Sequence, residues 1–246
     1  MSDILTVDNL RVSFKSKGRT VFDKPTVKEV LHGVSFTMEE GKILGLIGES
    51  GSGKSTIAKS ILKMVPYEGN IELYGNKAAM VFQDPYSCLD PSKKIGFLFE
   101  EAAYLSGIKD KEKRRKKSLE MIELIGLSQE HLNRLPSELS GGQRQRVCTG
   151  LALIGEPKLL IADEMVSALD VTIQAQILSL LKELQKTLNL SIIFISHDLR
   201  VVYNLCDSMI VLKDGEIVES GEPKVIYENP AHPYTRELID SALLTI

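Results

Sequence analysis

Three short segments of this sequence combine residue types and spacings suited to phosphate chemistry. Gly48-Glu49-Ser50-Gly51-Ser52-Gly53-Lys54-Ser55 fits the pattern G-x-x-x-x-G-K-[ST]. Glycines let the backbone wrap close to phosphate oxygens, while successive N–H groups and a helix N-terminus supply positive potential. Lys54 can reach the β and γ phosphates of a nucleotide, and the Ser55 hydroxyl can meet Mg²⁺. A Gly/Ser-rich turn before an ordinary helix is the competing explanation, and the full eight-residue match in a strand-loop-helix context argues against it.

The second segment, Leu159-Leu160-Ile161-Ala162-Asp163-Glu164, is an apolar run ending in two carboxylates, at the place where open α/β sheets put their ligands. Asp163 is expected to serve Mg²⁺, which prefers oxygen ligands and usually keeps waters between. Adjacent residues on an extended strand point to opposite faces, so Glu164 is expected to do a different job, as general base for the attacking water. Alone, such a pair is more often a solvated strand end or a helix cap. The third segment is Leu139-Ser140-Gly141-Gly142-Gln143-Arg144-Gln145-Arg146. Ser140 can cap a helix beginning near Gly142, and the two glycines leave N–H groups open to a second anion. A plain capped helix explains Ser140 but not two glycines that each cost helix propensity of roughly 1 kcal/mol.

The elements that must position these residues can be read from periodicity. Residues 4 to 14 and 30 to 38 are expected to be antiparallel strands around a long polar loop with Gly18 and Pro25. Lys42 to Ile47 is a short apolar strand running into the glycine-rich loop, and a helical pattern follows from Lys54 to Met64. Leu159 to Ala162 and Ser191 to Ile195 read as buried parallel strands. Between them Ile177, Leu178, Leu181, Leu184 and Leu188 keep one helix face apolar, which implies a right-handed βαβ unit. From about residue 90 to 155 helical patterns dominate, with a helix beginning near Lys111 and stopped at Gly126. Short strands around Lys213-Asp214-Gly215 and two helical patterns broken by Pro230 and Pro233 complete the chain.

Composition narrows the class. The 246 residues are 43% hydrophobic and 26% charged, the balance of a globular protein rather than a disordered one. A net charge of -3 supplies no global positive field, which weighs against nucleic acid as a partner. Cys88, Cys148 and Cys206 are odd in number and never in a C-x-x-C spacing, so neither a disulfide framework nor a zinc site is expected. No apolar run is long enough to span a bilayer, and MSDILTVDNL lacks the basic-then-apolar order of a signal peptide; the expectation is a cytosolic chain unless a partner brings it to a membrane.

The Ser140-Gly141-Gly142-Gln143 segment resembles the signature sequence of ABC ATPases. Further segments follow in the family's order. Gln83 in Val81-Phe82-Gln83-Asp84-Pro85 is similar to the Q-loop glutamine, a Mg²⁺ ligand that links the core to the helical subdomain. Ser167-Ala168-Leu169-Asp170 is similar to the D-loop, and His197 in Ile195-Ser196-His197-Asp198 resembles the switch histidine that touches the γ phosphate. Singly, Gln83 is an ordinary turn residue, Asp170 a helix cap and His197 a structural histidine; five motifs in one order are not. Phe14 is the candidate to stack on adenine, a strand-core role being nearly as plausible, and Phe22 in the unusual insertion from Lys15 to Lys28 is a second candidate.

The resemblance implies an α/β fold: a P-loop NTPase, RecA-like core with an antiparallel β subdomain and an inserted α-helical subdomain. One ABC domain would span 1–246, with 1–89 and 156–246 as core and about 90–155 as the helical part. It implies ATP binding and hydrolysis with Mg²⁺. Lys54, Gln83, Glu164 and His197 would be catalytic. Phe14, Gly48, Glu49, Ser50, Gly51, Ser52, Gly53, Lys54, Ser55 and Thr56 would bind ATP. Ser55, Gln83 and Asp163 would hold the metal. Ser140, Gly141, Gly142 and Gln143 would face the nucleotide of an opposing homologous subunit, in a homodimer or heterodimer, with Asp170 passing between the two. The implied partners are two membrane permeases and, indirectly, an extracytoplasmic solute-binding protein, at the cytoplasmic face of the membrane.

Tyr86-Ser87-Cys88-Leu89-Asp90-Pro91 and Glu228-Asn229-Pro230-Ala231-His232-Pro233-Tyr234-Thr235-Arg236 resemble the peptide and nickel importer branch. On physics alone the second stretch is a proline-broken turn. Met165 stands where the family usually has proline and Leu151 where it commonly has arginine; neither removes a phosphate, metal or water contact, so hydrolysis is expected to survive. The basic run Lys109 to Lys117 reads first as a solvated helix face, with contact to anionic lipid as the alternative. The competing functions are a soluble ABC ATPase acting on nucleic acid or ribosomes and a non-hydrolysing regulator. Against the former stand the lack of a long heptad insertion, of a zinc-hook cysteine pair and of a second head.

Overall fold

A computed structural model describes residues 2–16, 26–75, 77–84, 88–167 and 169–243. Phe22, Pro85, Tyr86, Ser87, Ala168 and most of the 15–28 insertion therefore lie outside the described residues. The chain divides into two compact units, residues 1–76 with 193–246, and residues 77–192.

The first unit begins with β1 (Asp3–Ser16) and β2 (Thr26–Glu39), paired antiparallel from Asp3 opposite Glu39 to Ser16 opposite Thr26. On β1, Ile4, Leu5, Val7, Leu10 and Val12 are buried, so the strand's apolar face is kept despite register shifts. A third strand, β4 (Glu68–Leu73), pairs on the other side of β1. Leu5 sits opposite Leu73 and Arg11 opposite Glu68.

The parallel strands of this unit carry the phosphate loop. β3 (Ile43–Ile47) is buried at every position, as expected of a strand covered on both faces. It lies between β7 (Ser191–Ile195), most of which belongs to this unit, and β8 (Ser208–Lys213), which is parallel to it. β9 (Glu216–Gly221) returns antiparallel to β8 through Asp214-Gly215. Helix α1 (Lys54–Ile61) leaves the loop, ending three residues earlier than its apolar pattern because Leu62 and Lys63 break from helical geometry.

In the second unit β5 (Ala78–Val81) runs parallel to β6 (Leu159–Asp163), with Val81 level with Ala162. Between them in sequence come α2 (Ile95–Leu105), α3 (Lys111–Leu124) and α4 (Gly141–Leu153), packed around Ile95, Phe99, Ile122, Ile125 and Val147, all fully buried. Asp110 caps α3 by accepting from the Lys113 N–H at 2.8 Å, and Gly126 ends it, as expected. Helix α5 (Val171–Leu188) buries Ile177, Leu181 and Leu184, and its Leu188 end is partly exposed. The chain closes, back in the first unit, with α6 (Leu199–Leu205), α7 (Pro223–Glu228) and α8 (Pro233–Leu243). Among the described residues no helix is long and apolar enough to cross a membrane.

Candidate active site

In the first unit the loop between β3 and α1 has the geometry that its glycines require. Gly48 and Gly53 have φ of 152° and 111°, and a Cβ on Gly48 would sit 2.1 Å from the Leu212 carbonyl oxygen. Gly53, at the start of α1, makes no side-chain cap hydrogen bond, so the positive end of the helix is not covered by a capping side chain. Lys54 is only 4% exposed and folds back over the loop, its ammonium donating to the carbonyls of Gly48 at 2.7 Å and Glu49 at 2.8 Å. The loop is braced from outside: the Gly215 N–H donates to the Ser52 carbonyl at 3.0 Å, and the His32 N–H to the Gly215 carbonyl at 3.0 Å. Thus the β8-β9 turn, itself held by β2, positions a loop far from that turn in sequence.

His197 follows β7 and is exposed. Its segment is fixed by its neighbours. The Ser196 N–H donates to the Leu46 carbonyl at 3.2 Å, and the Asp198 N–H donates to the Ser196 hydroxyl at 3.0 Å. Asp198 caps α6 and pairs with the Arg200 guanidinium. Burial opposes its ionisation, but the hydrogen bonds and charge of Arg200 prevail and hold the carboxyl below its ordinary range.

Phe14, on β1, is 42% exposed and does not belong to the strand core, which leaves its ring available for stacking. The Pro230–His232 turn is tied to β9, because Glu219 accepts the N–H groups of Ala231 at 2.8 Å and His232 at 3.0 Å. Burial works against that carboxylate, yet the Thr235 side chain together with these two N–H groups outweighs it and lowers its pKa.

In the second unit the acidic pair is arranged differently from strand alternation. Asp163 is the last, buried residue of β6, but Glu164 already has φ 45°, in the left-handed region. A turn, not an extended backbone, separates the two carboxylates. Such a conformation costs a non-glycine residue of order 1–2 kcal/mol and is kept where surroundings over-determine it. Here the Ser167 N–H and hydroxyl both donate to the Glu164 carbonyl, at 3.2 and 2.9 Å. The side chain is held too: Gln83 Nε2 donates to Glu164 Oε2 at 3.1 Å. The two residues are 81 apart in sequence, and no motif spacing announces their contact. Met165, in the position noted as unusual, is buried and packs as a core residue.

Ser140 caps α4 as expected, and the helix starts at Gly141, one residue earlier than read from the sequence. The cap is reciprocal: the Gln143 N–H donates to Ser140 Oγ at 3.3 Å and the Ser140 N–H to Gln143 Oε1 at 2.9 Å. The two glycines differ in purpose. A Cβ on Gly142 would sit 2.5 Å from Ile173 Cγ2, so this glycine is required for α4 to pack on α5. A Cβ on Gly141 would meet only Leu169 Cδ2, at an ordinary 3.6 Å. Gly142→Val should therefore overpack this contact and lower Tm by roughly 2–12 °C, whereas Gly141→Ala should leave Tm within about 2 °C, both read by thermal unfolding. Asp170 caps α5, accepting the Ile173 N–H at 3.0 Å.

The donor chemistry of the expected metal site fits a hard cation. Asp163 is a buried carboxylate, and Ser55 and Gln83 offer neutral oxygens. Among the described residues no three His, Cys, Asp or Glu side chains converge to form a protein-only cage. An ion carried on a triphosphate needs only one or two protein ligands, so such a cage is not required.

Comparison with known proteins points one way. The family description "ABC transporter" matches residues 31–167. The oligopeptide transport ATP-binding protein OppD of Bacillus subtilis is 40% identical over 97% of this chain and 71% of its own length. The dipeptide transport ATP-binding protein DppF of Escherichia coli is 42% identical over 90% of this chain and 71% of its own. Among solved structures, the ATP-binding cassette MJ0796, a dimer in a post-hydrolysis state with ADP and Pi, superposes with a TM-score of 0.75 at 27% identity, covering 89% of this chain and 98% of that one. The cbiO1 protein of Clostridium perfringens, part of the cbiONQ ABC transporter complex, does so with 0.78 at 25% identity, covering 100% and 96%. The phosphate loop, the acidic strand end and the capped signature helix thus sit on the fold of nucleotide-hydrolysing cassettes, and the chain belongs to the ABC transporter family, as one of its ATPases.

Proposed function

We propose that this ATPase energises import of peptides, docked on two membrane permeases at the cytoplasmic face of the membrane and served by an extracytoplasmic solute-binding protein. The observation that carries the reading is the identity of 40–42% over nine-tenths or more of the chain to ATP-binding subunits named for oligopeptide and dipeptide transport. Two such subunits, alike or merely homologous, close head to tail on two nucleotides.

The residues divide the work as follows. The loop from Gly48 to Thr56 binds the triphosphate through backbone N–H groups other than that of Glu49, which Tyr234 holds, and Phe14 stacks on adenine. Lys54 exchanges the Gly48 and Glu49 carbonyls for β and γ phosphate oxygens, a trade of neutral acceptors for charged ones. Ser55, Asp163 and Gln83 hold Mg²⁺, which when bound neutralises phosphate charge. Gln83 can serve both groups at once, because the metal would take its amide oxygen while Nε2 donates to Glu164 and orients that carboxylate. Water attacks the γ phosphorus, its proton goes to Glu164, the bond to the bridging oxygen breaks, and ADP and phosphate leave. His197 contacts the γ phosphate, and Ser140, Gly141, Gly142 and Gln143 of the opposing subunit meet it from the other side, with Asp170 at the junction.

The test joins uptake to copurification. Deleting the gene should abolish uptake of labelled di- or oligopeptides, and permeases should copurify from detergent-solubilised membranes. Unchanged peptide uptake, or ATPase activity stimulated by DNA or ribosomes with no permease present, would overturn the reading.

A further inference from the structure

The C-terminal stretch His232-Pro233-Tyr234-Thr235 enters the sequence argument only as a marker of branch, yet its tyrosine reaches the phosphate loop. Tyr234 is 3% exposed, and its hydroxyl oxygen accepts the Glu49 N–H at 2.9 Å across 185 residues of chain. The ring is packed under the Lys213 ammonium, 4.5 Å from its centroid. Its backbone is fixed in turn. The Tyr234 N–H donates to His232 Nδ1 at 3.2 Å, and the His232 N–H donates to Glu219 on β9. The hydroxyl is therefore presented by a braced helix start rather than by a free tail.

The peptide being held is specific. Gly48 C=O and Glu49 N–H belong to one planar unit, whose carbonyl and N–H point in opposite directions. Lys54 holds the carbonyl edge at 2.7 Å and Tyr234 holds the N–H edge at 2.9 Å. When Lys54 turns to phosphate, the carbonyl edge loses its ammonium and the N–H edge keeps its tyrosine. Gly48, with φ 152° and no side chain, is the residue about which this peptide would otherwise flip. A flip would turn the Glu49 N–H to the side of the Lys54 ammonium and the Gly48 carbonyl to the side of the tyrosine, undoing the loop shape that both side chains brace.

We propose that Tyr234 is a positioning residue for ATP, holding the Gly48-Glu49 peptide, and with it the backbone shape of the phosphate loop, in place while Lys54 changes partners. The inference rests on Gly48 to Ser55 being the phosphate loop. It gives the C-terminal stretch a role in the ATPase cycle, in addition to marking the branch.

Tyr234→Phe removes the hydroxyl and keeps the buried ring over which Lys213 lies. The variant is expected to bind Mg·ATP about fivefold more weakly, equivalent to roughly 1 kcal/mol, with KM rising by a similar factor. Nucleotide-free Tm should stay within about 3 °C. Hydrogen exchange at the Glu49 amide, followed in the same samples without nucleotide, should speed up at least about tenfold, and this reads the contact directly even if the fold is loosened elsewhere. Unchanged ATP affinity with unchanged KM overturns the proposal, as does unchanged exchange at Glu49. Lys54→Ala, run alongside, separates the two layers of the argument. If that variant binds ATP normally, the phosphate-loop reading itself fails; if it loses binding while Tyr234→Phe does not, only the role of Tyr234 fails.

Discussion

Glu164→Gln is expected to lower turnover of ATP by about 10²–10⁴-fold, the range that a positioned general base contributes, with ATP affinity changed by no more than a few-fold. The substitution is nearly isosteric, and its amide oxygen can still accept from Gln83 Nε2, where Glu164 now does so at 3.1 Å. The backbone that places it is independent of the side chain: φ 45° is enforced by Ser167 on the Glu164 carbonyl. Geometry should thus survive while the group that takes the water proton is lost, and Tm should stay within about 2 °C. ATP that is bound and not hydrolysed should then accumulate on a closed dimer, visible by size-exclusion chromatography with Mg·ATP. Turnover at the wild-type rate would show that the proton goes elsewhere and remove Glu164 from its role.

Lys54→Ala should do more, because it acts on binding as well as on chemistry. A charge-assisted hydrogen bond contributes roughly 1.5–3 kcal/mol, so losing the contact to phosphate should weaken ATP binding by about 10- to 150-fold. Removing a charge that meets the developing negative charge should lower turnover by a further 10²–10³-fold. There is also a cost without nucleotide. The ammonium is buried and satisfies the Gly48 and Glu49 carbonyls, so its loss withdraws a donor from both oxygens. The two effects separate in one calorimetric experiment. Nucleotide-free Tm should fall by several degrees, and the added stabilisation by Mg·ATP, about 2.7 kcal/mol at a hundredfold excess over the wild-type Kd, should shrink to roughly 0.3–1.4 kcal/mol. A preserved nucleotide-dependent rise would place ATP somewhere other than Gly48 to Ser55.

Much of the fold was legible because its strands and helices announce themselves locally. β3, β6 and β7 are uninterrupted apolar runs bounded by polar turns, and burial at every position in each explains why. β4 and β5 gave no such signal. Glu68–Leu73 is mostly exposed and includes Gly69 and Asn70, both poor strand formers, so it is a strand because β1 offers it a partner. Ala78–Val81 is short and only partly buried, and it is ordered by its parallel partner β6. The acidic pair shows a subtler gap. Its residues could be named from the strand end, but their separation by alternation does not occur, because Glu164 has already left the strand.

What the sequence determined by itself is the chemistry that lies within a few residues of backbone: the glycines and lysine of the phosphate loop, the reciprocal Ser140 and Gln143 cap, and the carboxylate that ends β6. These depend on short-range dihedrals and hydrogen bonds, which spacing encodes directly. Only the tertiary structure decided which distant groups hold them: Gln83 on Glu164, Gly215 under Ser52, Ile173 against Gly142, and Tyr234 on the Glu49 N–H. Such contacts form when strands and helices from separate parts of the chain pack together, and a hydrogen bond spanning 185 residues leaves no periodicity to read.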